Sequence, residues 1–235
     1  MIREIVLDTE TTSTDAKVDR IIEVGCVELV NHTQTGRTFH RYINPQRAVH
    51  PDALAVHGLT DAFLSDKPLF AAIATDLLAF IGDGTLVIHN APFDVGFLNA
   101  EFARLPAPQP PTIQLDAVVD TLLIARRKHA GAANNLDALC TRYGIDRSRR
   151  TKHGALLDAQ ILAEVYVELL GGKQVGFDLG PMTALPVAAA AEAARPATPR
   201  VFKSRLTDAE RARHTAFVGT LKTPVWADYI SEEVE

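Results

Sequence analysis

The chain opens "MIREIVLDTETTST" (Met1–Thr14), an aliphatic run that turns abruptly acidic. Ile2, Ile5, Val6 and Leu7 read as a short buried strand over Glu4–Leu7, with Asp-Thr-Glu-Thr-Thr as its polar end. In a strand, side chains two apart point to the same face, so Asp8 and Glu10 project together. Two carboxylates held that close raise each other's pKa unless a cation neutralises them. The stretch alone leaves two readings open: two solvated acids on a polar loop, or a pair gathered to hold a cation.

The bulk properties narrow the class. The 235 residues suit one domain of roughly 170 residues with something extra, or two small domains. With 47% hydrophobic and 23% charged residues, the composition is that of an ordinary soluble globular protein. The net charge of -5 argues against holding nucleic acid by bulk electrostatics, which needs a basic surface. Any such contact must be local, brief or helped by a partner. Cys26 and Cys140 lie in apolar periodic segments without metal-ligand neighbours, as expected of small buried thiols in a reducing compartment. The N-terminus lacks the sections of a signal peptide, and no apolar run nears the ~20 residues that span a bilayer. The expectation is a cytoplasmic protein with no membrane partner.

Strand patterns fall at Glu4–Leu7, Ile21–Val30, Thr38–Ile43, Thr85–Ile88 and Gln114–Val119. Helix patterns fall at Pro68–Ile81, Asp94–Arg104, Thr121–Arg127, Asn135–Tyr143 and Gly154–Leu170, the last stopped by Gly171-Gly172. Three closely linked strands, then strands alternating with helices, predict an α/β mixed sheet covered by helices in a domain over residues 1–172. Residues 181–200 are an Ala/Pro-rich linker with little to bury. Residues 201–235 regain large side chains, with Thr207 and Glu210 spaced as a capping box. About thirty residues cannot build a core alone, so this segment is expected to dock on something.

Two further stretches carry acids at informative places. "LVIHNAPFDVGFLNAEF" sets Asp94 just past an apolar strand at a helix start, where an N-cap role would suffice to explain it. "RRTKHGALLDAQILAEVY" sets His153 on a loop and Asp158 on the first turn of the last long helix. Asp8, Glu10, Asp94 and Asp158 thus each adjoin a strand end or helix start, where a sheet gathers side chains at one edge. Hard divalent cations take such oxygen ligands, and two of them about 3.5–4 Å apart form the clamp for phosphodiester cleavage. An imidazole titrates near neutral pH, so His153 at the rim would suit a general base. Arg147, Arg149, Arg150 and Lys152 precede it, either as a solvated basic loop or as a phosphate contact.

The wording of these motifs adds a resemblance. "DTETT", "HNAPFD" and "HGALLDA", in this order, resemble the three motifs of the DEDDh exonucleases. "HGLT" (His57–Thr60), "NNLDALCTRYGIDRSRR" and "HGALLDAQILAEVYVELLGGKQ" extend the likeness, over residues 1–180, to the ε (proofreading) subunits of bacterial DNA polymerase III. The resemblance implies a ribonuclease H-like fold, a five-stranded mixed sheet with helices on both sides, plus a flexible C-terminal tail. It implies 3′→5′ hydrolysis of single-stranded DNA ends with two divalent ions, Mg²⁺ or Mn²⁺, releasing nucleoside 5′-monophosphates. By position, Asp8, Glu10 and Asp158 would hold the tighter ion with Asp8 bridging, Asp94 would act through water on the second, and His153 would be the base. Thr9, Glu10, Thr11, Val56 and His57 would contact the terminal nucleotide, although a packed or capping histidine is an alternative reading of His57. Residues 173–180 include Gln174, Phe177 and Leu179, which resemble a sliding-clamp peptide. Trp226, with Tyr229 and Phe217, would anchor residues 201–235 on the polymerase α subunit. The rival readings are a stand-alone DEDDh exoribonuclease trimming RNA 3′ ends, and a non-catalytic scaffold that keeps the fold.

Overall fold

The computed structural model describes residues 1–148, 152–172 and 206–221. Gln174, Phe177, Leu179, Trp226, Tyr229, Arg149, Arg150 and the 181–200 linker lie outside the described residues. The chain divides into two units, Met1–Phe177 and Asp178–Glu235.

Within the first unit, five strands form one sheet in the order β3-β2-β1-β4-β5. The strands β1 (Arg3–Thr11), β2 (Ile21–Val30) and β3 (Thr33–Tyr42) are antiparallel neighbours, whereas β4 (Thr85–Ile88) and β5 (Val119–Asp120) continue the sheet in parallel. The expected mixed sheet is present, with three boundaries changed. The first strand runs on through the acids to Thr11, because β2 pairs with it along that whole length. The third begins five residues early, since Asn31 and His32 both take positive φ and close a tight hairpin that a glycine-free sequence does not advertise. The fifth shrinks to two residues. Leu115–Ala117 form a 3-10 turn, and the Asn99 side chain occupies both backbone groups of Ile113.

The helices are α1 (Pro51–His57), α2 (Asp61–Leu64), α3 (Phe70–Ile81), α4 (Ala91–Ala103), α5 (Thr121–Lys128), α6 (Leu136–Tyr143) and α7 (Ala155–Leu170), with α8 (Asp208–Val218) in the second unit. Two were not foreseen, α1 and α2, both too short to show a 3.6-residue period. Their caps were legible: Pro51 in the first turn with Gly58 in the left-handed region after the last, and Thr60 accepting from the Phe63 amide. α4 starts three residues before Asp94, with Asn90 at the N-cap and Pro92 in the first turn. Asp94 is therefore a first-turn residue and not the cap.

The alternation of β1 divides the core. Ile5 and Leu7 pack with Phe70, Leu77, Phe97 and Leu98 of α3 and α4. Val6 packs on the other face with Ala159, Leu162 and Tyr166 of α7. Cys26 and Cys140 are both buried, as expected. In the second unit, the Thr207–Glu210 capping box forms as its spacing predicts and starts α8. Among the described residues, no helix is long and apolar enough to cross a membrane.

Candidate active site

The carboxylates reach one end of β1 from both faces of the sheet. Asp8 and Glu10 share a face with their cross-strand partners Gly25 and Glu23, the face covered by α7. The pairing slips between Glu10 and Thr11, and such a bulge re-aims side chains at a strand end. α7 brings Asp158, buried on its first turn. It can approach because residue 25 is glycine: a Cβ there would lie 2.2 Å from the Leu156 amide nitrogen. His153, on the loop before α7, sets Nδ1 3.1 Å from Asp158 Oδ2. Ligand atoms of Glu10, His153 and Asp158 all lie within 4.8 Å of one another.

Asp94 comes from the opposite face. Its carboxylate accepts a 2.7 Å hydrogen bond from the Thr9 hydroxyl, so the odd-numbered neighbour of Asp8 and Glu10 ties α4 to β1. Burial pushes the Asp94 carboxyl up to about 7, even though the Thr9 hydrogen bond works against it. This is a buried acid poised to gain from a nearby cation. Oxygen-rich donors with one imidazole are the set that hard divalent ions accept, so the residues present fit such an ion.

Beside the acids lies a cavity of about 320 Å³ lined by Glu10, Thr11, His50, Val56 and His57, among others. Four of the five residues expected against the terminal nucleotide thus share one wall. Thr9 is the exception, its hydroxyl being committed to Asp94. The Thr11 hydroxyl donates to the Ser13 carbonyl. His57 ends α1, buried, with Nδ1 accepting from the Leu59 amide and the ring hydrogen-bonded to the Thr11 backbone. Burial pushes its imidazole down, and the Glu23 carboxylate pulls the other way. Lys152 folds back onto α1 through the Ala55 carbonyl, and Arg147 pairs with Asp137.

Sequence reasoning missed Glu23 and Gly25. Glu23 is buried, has the His40 Nε2 2.7 Å from its carboxylate, and stands beneath Gly154. The alternation of β2 puts both residues on one face, but only the register against β1 places that face under the acids.

A nucleolytic fold and an acid cluster at its sheet end define a class, and the chain belongs to it: the family model described as "Exonuclease" matches residues 5–166, and the group is divalent-metal dependent. The relatives are more particular. The chain is 52% identical over 179 residues to the DNA polymerase III subunit epsilon of Rickettsia felis, covering 76% of this chain and 78% of that one. It is 51% identical over 176 residues to the subunit of the same name from Escherichia coli K12, covering 73% and 72%. Among solved structures, exonuclease X in complex with 5′ overhanging duplex DNA matches with a TM-score of 0.55 at 25% identity, over 72% of this chain and 91% of that one. The nuclease domain of 3′hExo, a DEDDh family member, shares the fold with a TM-score of 0.59 at 19% identity, over the same shares.

Proposed function

We propose that this chain is the 3′→5′ exonuclease that proofreads the primer terminus for a bacterial replicative polymerase of the polymerase III type, releasing nucleoside 5′-monophosphates. The observation that carries the reading is the convergence of Glu10, His153 and Asp158 within 4.8 Å at the end of the strand that also bears Asp8. Relatives named as epsilon subunits over the same domain support it.

Asp8, Glu10 and Asp158 would hold one divalent ion and Asp94 the second, as Mg²⁺ or Mn²⁺. Such ions, when bound, supply Lewis acidity that activates water and stabilises the leaving oxygen. The protein's own groups do the rest. Asp158 turns the His153 ring through Nδ1, which leaves Nε2 as the atom that takes the proton from water. Thr9 holds the Asp94 carboxylate toward the end of β1. The cavity beside Glu10 and Thr11, with Val56 and His57 in its lining, would take the terminal nucleotide.

The outer contacts are part of the same proposal. Gln174, Phe177 and Leu179 would engage a sliding clamp, and the segment from residue 201, with Trp226 as an anchor, the polymerase α subunit. In support, Phe217 and Leu206 are more than half exposed at the two ends of α8. Tethering raises effective concentration at the primer end, which suits a chain of net charge -5.

The test is hydrolysis of a 5′-labelled single-stranded DNA oligomer with Mg²⁺ or with EDTA, beside an RNA oligomer of the same sequence. A Mg²⁺-dependent ladder that shortens from the 3′ end, faster on DNA, is expected. Faster cleavage of RNA would replace the proofreading role with RNA trimming, and no cleavage of either would leave the scaffold reading.

A further inference from the structure

A second and larger groove, of about 740 Å³, opens beside the residues that follow β4. Its walls include His89 and Asn90 after β4, Leu122 and Arg126 on α5, and Asn134 and Asn135 before α6. It lies at the carboxyl ends of the parallel strands β4 and β5, where open α/β sheets hold ligands. It also adjoins the candidate site: Asn90 caps the helix that carries Asp94 one turn later, about 5–6 Å along the axis. The cavity beside Glu10 lies at the end of β1, and the groove beside Asn90 at the ends of β4 and β5, the strands next to it in the sheet.

The lining is built for a polar guest. His89 is occupied, with Nδ1 2.9 Å from the Thr121 hydroxyl. Burial pushes its imidazole down, so it is neutral near pH 7 and adds no charge. Arg126 is exposed and, among the described residues, makes no ion pair or hydrogen bond, which leaves its guanidinium for an anion. Asn134 is about nine-tenths buried and spends both amide hydrogens on the His129 and Ala132 carbonyls. Its Oδ1 is closed off from solvent and, among the described residues, receives no hydrogen bond. Leu122 offers apolar surface beside these groups.

We propose that this groove holds the substrate strand upstream of the scissile bond, with an internucleotide phosphate on Arg126 and its nucleoside against Leu122 and Asn134. The proposal rests on the exonuclease reading and extends it. With the terminal nucleotide in the cavity beside Glu10, the chain passes the acids and leaves through the groove. A single guanidinium in a polar slot also explains how an acidic protein grips a polyanion locally.

The experiment compares two substrates of the full chain with Mg²⁺: a single-stranded DNA oligomer, and the p-nitrophenyl ester of thymidine 5′-monophosphate, which has no upstream nucleotide. Arg126→Ala is expected to raise the ratio of the oligomer KM to the ester KM about tenfold. It should also flatten the dependence of log affinity for the oligomer on log salt by about 0.7, the release of one counterion. Arg126→Lys should recover most of the loss, as a point charge on a phosphate would. The neighbouring Arg127→Ala, outside the groove, should leave the ratio alone. An equal rise in both KM values, or no rise in the oligomer's, would overturn the assignment. Failure of the wild type to cleave either substrate would instead strike the exonuclease reading itself.

Discussion

Asp94 and Glu101 lie two turns apart on α4, both almost fully buried, in opposite electrostatic settings. Glu101 receives the Arg20 guanidinium in a fork, at 2.7 and 2.9 Å, and the Ile21 amide at 3.2 Å. Arg104 adds a looser contact at 3.5 Å. Glu28, buried on β2, is treated alike by Arg3 and Arg37. Burial alone would push the Glu28 carboxyl up, but hydrogen bonds from Thr35 and Arg3 and the two arginine charges hold it below the usual carboxylate range. Asp94 has the Thr9 hydroxyl and backbone amides of Thr9 and its own residue and, among the described residues, no salt bridge. Its carboxyl rises to about 7 instead. Burial is common to the two ends of the helix. What differs is whether the protein brings its own cation, and the end that does not is the one that fits a metal ion.

That contrast is open to attack at four points, beginning with the largest effect. Asp8→Ala and Asp158→Ala should each cut hydrolysis roughly 10³-fold or more, the several kcal/mol that metal chemistry contributes, while the far-ultraviolet circular dichroism stays native. An unfolded spectrum for either would make these acids part of the scaffold, like Glu101.

Arg20→Ala works at the other end of α4. It strands the Glu101 charge in the interior and should cost about 3–5 kcal/mol in urea denaturation, with kcat of the folded fraction unaltered. A large fall in kcat with unchanged stability would reverse the assignment of the two ends.

Gly25→Ala joins both categories in one residue. The new methyl meets the α7 backbone at 2.2–2.4 Å and has to displace it, for about 1–3 kcal/mol of stability. Because Asp158 rides on that turn, activity should fall by up to about 10²-fold, a misplacement effect that added Mg²⁺ only partly reverses. Full activity at wild-type Mg²⁺ would mean that α7 tolerates the shift without moving its acid.

The subtlest test is pH. The Asp94 carboxyl stands higher in the folded chain than its value near 3.9 in an unfolded one, so folding favours the protonated acid. Its contribution is complete below about pH 4 and is lost as pH rises through about 7. In EDTA, the melting temperature of the wild type should therefore drop from pH 5 to pH 8 by several degrees more than that of Asp94→Asn, at about 2–4 °C per kcal/mol for a chain of this size. Divalent ions should close the gap at pH 8. Parallel curves for the two proteins would show that Asp94 stays ionised throughout.

Much of this arrangement was legible in the residues. β2 and β4 match their patterns residue for residue, and α7 falls one residue inside its expected start because Gly154 caps it. The four acids and His153 could be singled out as candidates because each sits where a hydrophobic run breaks, and "DTETT", "HNAPFD" and "HGALLDA" are motifs of local order. β5 was overdrawn because Gln114–Val119 has strand composition, while Leu115–Ala117 wind into a 3-10 turn and the Asn99 side chain holds the backbone of Ile113 just before them. The role of Thr9 was out of reach for a related reason. Its partner is eighty-five residues away: alternation turns the middle side chain of "DTE" to the opposite face, but nothing local says that it finds an acid there.

The sequence by itself determined which side chains are chemically competent and which segments are strands or helices, because period, capping and acid placement act over a few residues. Tertiary structure alone decided which of those side chains meet. The register of β1 on β2 put Glu23 and Gly25 under the acids, and the bare backbone of Gly25 let α7 descend far enough to deliver Asp158. The same packing left Asp94 buried with a hydroxyl and gave Glu101 an arginine, although both are acids on one helix. Register and close approach are set by contacts between residues distant in the chain, and no local pattern encodes them.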